Sequence, residues 1–155
     1  MNKTKDQLKG EIRYAIRLCQ RQARLYRRLQ ATGVFLSIVG GSATFSIYLT
    51  ALPDWLSFAG AGLLACSGAM FIAARPGDKA ALNESDVRRY QALMVKSNAL
   101  NEAELEVAIE EARQSDTQEI ELLRSIAYND VMHEFNRDDQ LIPLKCSEKI
   151  FEHLA

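Results

Sequence analysis

The stretch Ser46–Gly60, SIYLTALPDWLSFAG, decides how the rest of the chain is read. Its only charge is Asp54, beside Pro53, and apolar sequence runs outward on both sides. Upstream, Ala31 to Leu52 is 22 residues without a charge; downstream, Trp55 to Ala74 is 20 more. As helices rising 1.5 Å per residue these would be roughly 33 and 30 Å long, close to the roughly 30 Å hydrocarbon thickness of a bilayer. A buried helix of a small soluble domain normally keeps a polar face, because it must meet water somewhere. The expectation is an all-α membrane protein. It has a two-helix transmembrane hairpin at 31–74 (31–52 and 55–74, tip at 53–54) and long cytoplasmic amphipathic helices. A loop in the core of a soluble helical domain is the competing reading.

The distribution of charge supports the hairpin. One quarter of the 155 residues are charged, but they are not spread evenly. Residues 1–30 carry nine Lys or Arg against Asp6 and Glu11, a net of +7; residues 75–155 carry ten against 17 acids, a net of −7. Basic residues flank the apolar block on both outer sides, as Arg24, Arg27 and Arg28 before it and Arg75 and Lys79 after it, and the tip has none. The positive-inside rule then places both termini in the cytoplasm and the tip outside, a two-pass protein of the cell inner membrane. Tyr48 and Trp55 fall near the tip, where amphipathic rings favour the interface. Pro53 ends the first helix, and Asp54 is placed to cap the second. The basic leader of about 30 residues and the long apolar block fit a retained anchor better than a cleaved signal.

Small residues recur along both spans. Gly33, Ser37 and Gly41 are spaced by four, as are Ala61, Ala65, Ala69 and Ala73. Such rows let helices approach closely and gain van der Waals contact in lipid. They pack either within the hairpin or against another subunit, making a homo-oligomer. Ser42, Ser46 and Thr50 form a hydroxyl row at i, i+4, i+8 that is either pore-lining or bonded to its own backbone. No Asp, Glu, Lys, Arg or His lies inside either span, which argues against a proton-coupled carrier or a charge-selective filter.

The leader reads as a basic amphipathic helix over 5–30, with Leu8, Ile12, Ile16, Cys19, Ala23 and Tyr26 on one stripe. No breaker precedes Gly33, so it can continue into the first span. A second stripe, Arg13, Arg17, Arg21, Arg24 and Arg28, has three readings. It pairs with the acidic C-terminal region, contacts lipid headgroups, or binds an anionic ligand. Nucleic acid is not expected, because no reading motif accompanies the stripe. After a break at Pro76-Gly77, the region 75–155 reads as acidic and helical. One helix is expected over about 84–114, capped by Asn83. Its stripe is Val87, Tyr90, Met94, Leu100, Ala103 and Val107, discontinuous near Ser97 and Asn98. A second helix is expected around Ile120, Leu123, Ala127 and Val131, and a short terminal helix capped by Ser147.

Catalytic chemistry is absent from this pattern. No phosphate-cradling glycine loop, zinc-protease motif or nucleophile elbow occurs. His133-Glu134 near Asp130 is too sparse for a metal site. Cys19, Cys66 and Cys146 form neither a disulfide framework nor a four-ligand zinc spacing. The chain is read as a non-enzyme without cofactor or metal.

The order of parts resembles the SLATT superfamily of bacterial two-helix membrane proteins. The likeness lies in RQARLYRRLQ at 21–30, the hairpin at 31–74, SDVRRYQALMVKSNAL at 85–100 and ELLRSIAYNDVMHEF at 121–135, and so covers most of the chain. Tyr90, Leu93, Ala127, Asn129 and Val131 fall at positions matching the family's helices. The resemblance implies an oligomeric membrane effector that forms a pore or disrupts the membrane in antiphage defence. A cytoplasmic sensor or nucleotide-signalling protein would act as partner. The alternative is a non-conducting anchor or adaptor whose helices recruit a cytoplasmic partner.

Overall fold

A computed structural model describes residues 3–49 and 54–155, with side chains for all of these except 43–49, 54, 56 and 57. Pro53, at the expected tip, and Thr50 lie outside the described residues, as do the side chains of Ser46, Tyr48 and Asp54. Every described element is helical: α1 Lys5–Leu49, α2 Asp54–Ala74, α3 Pro76–Lys96, α4 Glu102–Gln114, α5 Arg124–Glu134 and α6 Cys146–Leu154, with 3-10 turns at Glu121–Leu123 and Asp138–Gln140. The chain divides into two compact units, one of Met1–Leu25 with Lys79–Ala155 and one of Tyr26–Asp78.

In the first unit the amphipathic leader has two sides to bury. Leu8 and Ile12 of α1 pack with Tyr90 and Leu93 of α3 and with Leu105, Ile109 and Ala112 of α4. Further along α1, Leu18 and Leu25 pack with Leu123, Ile126, Ala127 and the terminal Ala155. Each Leu or Ile buried this fully is worth on the order of 2 kcal/mol relative to exposure. The sequence stripe through Ala103 and Val107 is not the packed one, since both are exposed.

The helix expected over 84–114 is two helices, and its start lies earlier. α3 begins at Pro76, which suits a first helical position because no intrahelical partner awaits its missing N–H. Arg75 before it adopts φ 42 and its N–H reaches the carbonyl of Phe71, so it closes α2 in the left-handed conformation usually given to glycine. Asn83 is therefore inside α3, buried, with its amide bonded to the Lys79 carbonyl, and caps nothing. α3 ends at Lys96. The next cap is Asn101, whose side chain accepts from the Glu104 N–H at 2.8 Å while the Glu104 carboxylate accepts from the Asn101 N–H at 3.0 Å. This reciprocal box restarts the helix as α4. Asn101→Ala is expected to cost about 1 kcal/mol, read as a lower thermal midpoint of the purified chain.

The terminal helix starts at Cys146, one residue before the expected cap. Glu148 rather than Ser147 organises it: its carboxylate accepts from the Lys145 N–H at 2.7 Å and from the Ser125 hydroxyl at 3.0 Å. The Lys145 N–H, then Ser125, holds the Glu148 carboxyl below its ordinary range. Asn129 pins the preceding segment, donating to the Ile142 carbonyl and accepting from the Ile142 N–H, both at 2.9 Å.

In the second unit α1 and α2 pair antiparallel. Gly33 lies against Met70 and Phe71, and Gly40 against Gly60, Leu63 and Leu64. Among the described residues one helical stretch, Phe58–Lys96, is long and apolar enough to cross a membrane, with 11% of its most apolar window buried. Arg75 interrupts that stretch. Its apolar part therefore lies in α2.

Candidate functional site

The arginine stripe of α1 and the acids of α5 meet. Arg21 forks onto Asp130, with Nε to Oδ2 at 2.8 Å and Nη2 to Oδ1 at 2.7 Å, and its Nη1 donates to the Glu152 carbonyl at 3.0 Å. Arg17 donates to Glu134 Oε2 through Nη2 at 2.9 Å and more distantly through Nε. Arg13 stands over the Phe135 ring at 4.7 Å. These three, spaced by four, are engaged by one turn-and-a-half of α5. Exposure separates them in strength: the side chains of Arg21 and Asp130 are 14% and 24% exposed, those of Arg17 and Glu134 41% and 38%. Arg24 and Arg28 are exposed and also have interaction partners.

A second polar cluster joins α3 to the segment after α4. Asp116 accepts from the Tyr90 hydroxyl at 2.6 Å and pairs with Arg89. Arg89 also reaches Asp86 at 3.0 Å, and Asp86 accepts from the Thr117 hydroxyl at 2.6 Å. Burial pushes the Asp116 carboxyl up, and Tyr90 and Arg89 pull it back only in part. The Arg89 Nε is buried without a partner. A cavity of about 150 Å³ with mixed polar and apolar walls opens beside this cluster, lined in part by Cys19, Gln22 and Arg113. Burial, with Asp116 and Asp86 nearby, pushes the Cys19 thiol up to about 12. The cluster was not anticipated. Its signal was the recurrence of Asn83, Asp86 and Tyr90 on one face of a helix otherwise read for its apolar stripe.

A larger opening lies between α1 and α5. It is a groove of about 600 Å³ with mainly apolar walls, Tyr14 and Gly10 on the α1 side and Tyr128, Val131, Met132 and Phe135 on the α5 side. Lys3 and Glu11 sit at its rim, paired at 2.7 Å. Glu11 also receives Arg113 at 2.7 Å. Burial acts to raise the Glu11 carboxyl, but the hydrogen bonds and charges of Lys3 and Arg113 outweigh it and hold the group below its ordinary value. His133, the one histidine of α5, bonds Asp138 through Nδ1 at 2.7 Å.

The small-residue rows divide. Gly33 and Ser37 face α2, and the Ser37 hydroxyl bonds the Gly33 carbonyl at 2.9 Å and the Ser67 hydroxyl at 2.7 Å. The row continues through Gly40 rather than Gly41: a Cβ on Gly40 would stand 2.6 Å from the Gly60 carbonyl oxygen, while one on Gly41 meets nothing within 4 Å. Among the small residues of α2 the contact uses Gly60 and Ser67, both buried, and Ala61, Ala65, Ala69 and Ala73 are all exposed. A helix turns about 100° per residue, so a strict four-residue row drifts off the contact. Alternating steps of four and three stay on it. Ser42, the one hydroxyl of its row with a described side chain, is exposed. No family model matches the chain, and neither a curated protein nor a solved structure matches it.

Proposed function

We propose that the chain is a two-pass protein of the cell inner membrane, with both termini cytoplasmic. Its hairpin associates with copies of itself and permeabilises the bilayer when the first unit, the helical unit of Met1–Leu25 with Lys79–Ala155, receives a signal. One observation carries this: α1 and α2 already pack on each other through Gly33, Ser37 and Gly40, yet large apolar side chains cover their outer faces. Phe58 is 78% exposed and Ile72 79%, and Phe35 and Ile38 are exposed on α1. Water would not tolerate a patch of that extent, and lipid covers it at no cost. Basic residues on the flanks of both spans support the orientation.

Self-association is supported by what the hairpin leaves outside. The four alanines of α2 stand away from α1, available for close approach by another copy. Ser42 stands roughly 140° round α1 from Ser37, at about 100° per residue. A hydroxyl there reaches a shared axis only in an assembly of several copies. The resemblance to SLATT proteins supplies the setting, antiphage defence, and the kind of trigger, a partner or ligand acting on the helical unit. Purified protein in liposomes loaded with dye or salt tests it: release that rises with protein density is expected. No release in any oligomeric state sinks the proposal.

The second reading, a non-conducting anchor, is favoured by Val95 and Val107, which are exposed on α3 and α4 and suit a recruited partner. Ser42→Phe separates the two. A pore loses conductance while keeping its assembly, and an anchor has no conductance to lose.

A further inference from the structure

Three features of the groove between α1 and α5 bear on what it could hold. The first is Gly10. A glycine in a helix interior is destabilising against alanine and is usually kept where something must approach the backbone. A Cβ on Gly10 would meet nothing within 4 Å, so none of the described residues requires it. Its bare backbone faces the groove it lines. The second is a pair of hydroxyls. Tyr14 and Tyr128, both half-buried in the groove wall, form no hydrogen bond with the described residues, so each hydroxyl is left to bond water or a ligand. The third is charge. Lys3 at the rim is paired with Glu11 at 2.7 Å, Glu11 also receives Arg113, and Arg13 is held over the Phe135 ring at 4.7 Å, so the cations near the groove are already engaged and offer an anion little.

The volume, about 600 Å³, lies within the roughly 300–1,000 Å³ of small-molecule sites, which are mostly apolar with a few polar groups. Three rings and the soft thioether of Met132 favour a flat π face. We propose that this groove binds an uncharged aromatic small molecule, its ring against the Gly10 backbone and a polar atom hydrogen-bonded to the Tyr14 or Tyr128 hydroxyl. The site stands apart from the hairpin's activity. Its test reads binding alone, so it and the permeabilising function fail separately.

The chain has four methionines, Met1, Met70, Met94 and Met132, so carbon-13 methyl labelling gives a spectrum of four signals. The full chain in lipid nanodiscs would be titrated with indole. The Met132 signal is expected to shift saturably while Met94 stays still; Met70, in α2, reports any partition into lipid. Gly10→Leu has no described neighbour at Cβ to clash with and replaces a poor helix former by a good one. It is expected to leave the thermal midpoint unchanged or raised while weakening indole at least tenfold. Tyr128→Phe keeps the ring and is expected to weaken indole several-fold. Indole-3-acetate, the anionic analogue, is expected to bind more weakly than indole. A Met132 signal that does not move, moves without saturating, or titrates as wild type in Gly10→Leu overturns the site. So does equal binding of the anion. A Met132 shift on concentrating the protein without indole also overturns it, because the groove is then an interface between copies.

Discussion

Replacing Gly40 with leucine will force α1 and α2 apart. A Cβ at this position would lie 2.6 Å from the Gly60 carbonyl oxygen and 2.9 Å from the Leu64 nitrogen. Both obstacles are backbone atoms, which cannot rotate away, so the helices themselves must move. On the proposed membrane reading the contact has no hydrophobic driving force behind it, only van der Waals packing and interhelical hydrogen bonds, and separation forfeits both. The Ser37–Ser67 bond, at 2.7 Å, is lost with the packing. Those two serines give the readout. Changed together to cysteine, with Cys19, Cys66 and Cys146 replaced, they are expected to form an intrachain disulfide rapidly on oxidation. Gly40→Leu is expected to slow that crosslink more than tenfold. Gly41→Leu, whose Cβ meets nothing within 4 Å, is expected to leave it unchanged. Gly33→Leu falls between them, because the atoms in its way are the ends of the Met70 and Phe71 side chains. Equal rates in the Gly40 and Gly41 variants would refute the packing.

Arg21→Ala and Asp130→Ala are expected to be the most damaging charge deletions in the helical unit. The fork is bidentate and largely shielded, and removal of either partner leaves the other desolvated and unpaired. Such losses run to about 3 kcal/mol. Arg21 also holds the Glu152 carbonyl at 3.0 Å, so its loss loosens α6 as well. Arg17→Ala is expected to cost at most about 1 kcal/mol, because its pair with Glu134 is solvent-screened. Thermal unfolding followed by far-UV circular dichroism orders the three. In the double variant Arg21→Ala/Asp130→Ala the cost should fall well short of the sum of the single ones, since an unpaired buried charge no longer remains. Additive losses would show that the two side chains act independently.

The opposite charges of the leader and the C-terminal region were legible in the sequence. Spacings of four along α1 put Arg13, Arg17 and Arg21 on one line, and an acid-bearing helix was available to meet them. Which acids they meet was not legible, because the register of α5 on α1 is set by Leu123, Ile126 and Ala127 packing on Leu18 and Leu25. The break between α3 and α4 was written in the sequence twice, as the interruption of the apolar stripe near Ser97 and Asn98 and as Asn101-x-x-Glu104, but the stripe resuming at Leu100 was read as the same helix. Asn83 looked like a cap because Asn favours caps, and tertiary burial beside Thr117 overrode that preference. The small-residue rows show the limit of spacing alone. Gly33, Ser37 and Gly41 are evenly spaced in sequence, but the contact follows the 3.6-residue turn and selects Gly40. Likewise the alanine row of α2 is regular and exposed, and the irregular pair Gly60 and Ser67 is buried. The groove had one sequence signal, Gly10 inside an amphipathic helix. Its other wall, 131 residues into the chain at Val131, is joined to it only by the fold.

Both functional readings rest on the hairpin lying in a bilayer with the helical unit on one side of it. The native cysteines test this directly. Cys146 is exposed at the start of α6, and Cys19 is buried with its thiol held in the unreactive form. Expressed in bacterial cells and recovered in membrane vesicles, the chain should resist alkaline carbonate extraction. A membrane-impermeant maleimide should label Cys146 in inside-out vesicles and fail to do so in right-side-out vesicles until they are opened. Extraction into the carbonate supernatant, or labelling of Cys146 from the outer face of intact vesicles, would contradict the two-pass hairpin with cytoplasmic termini.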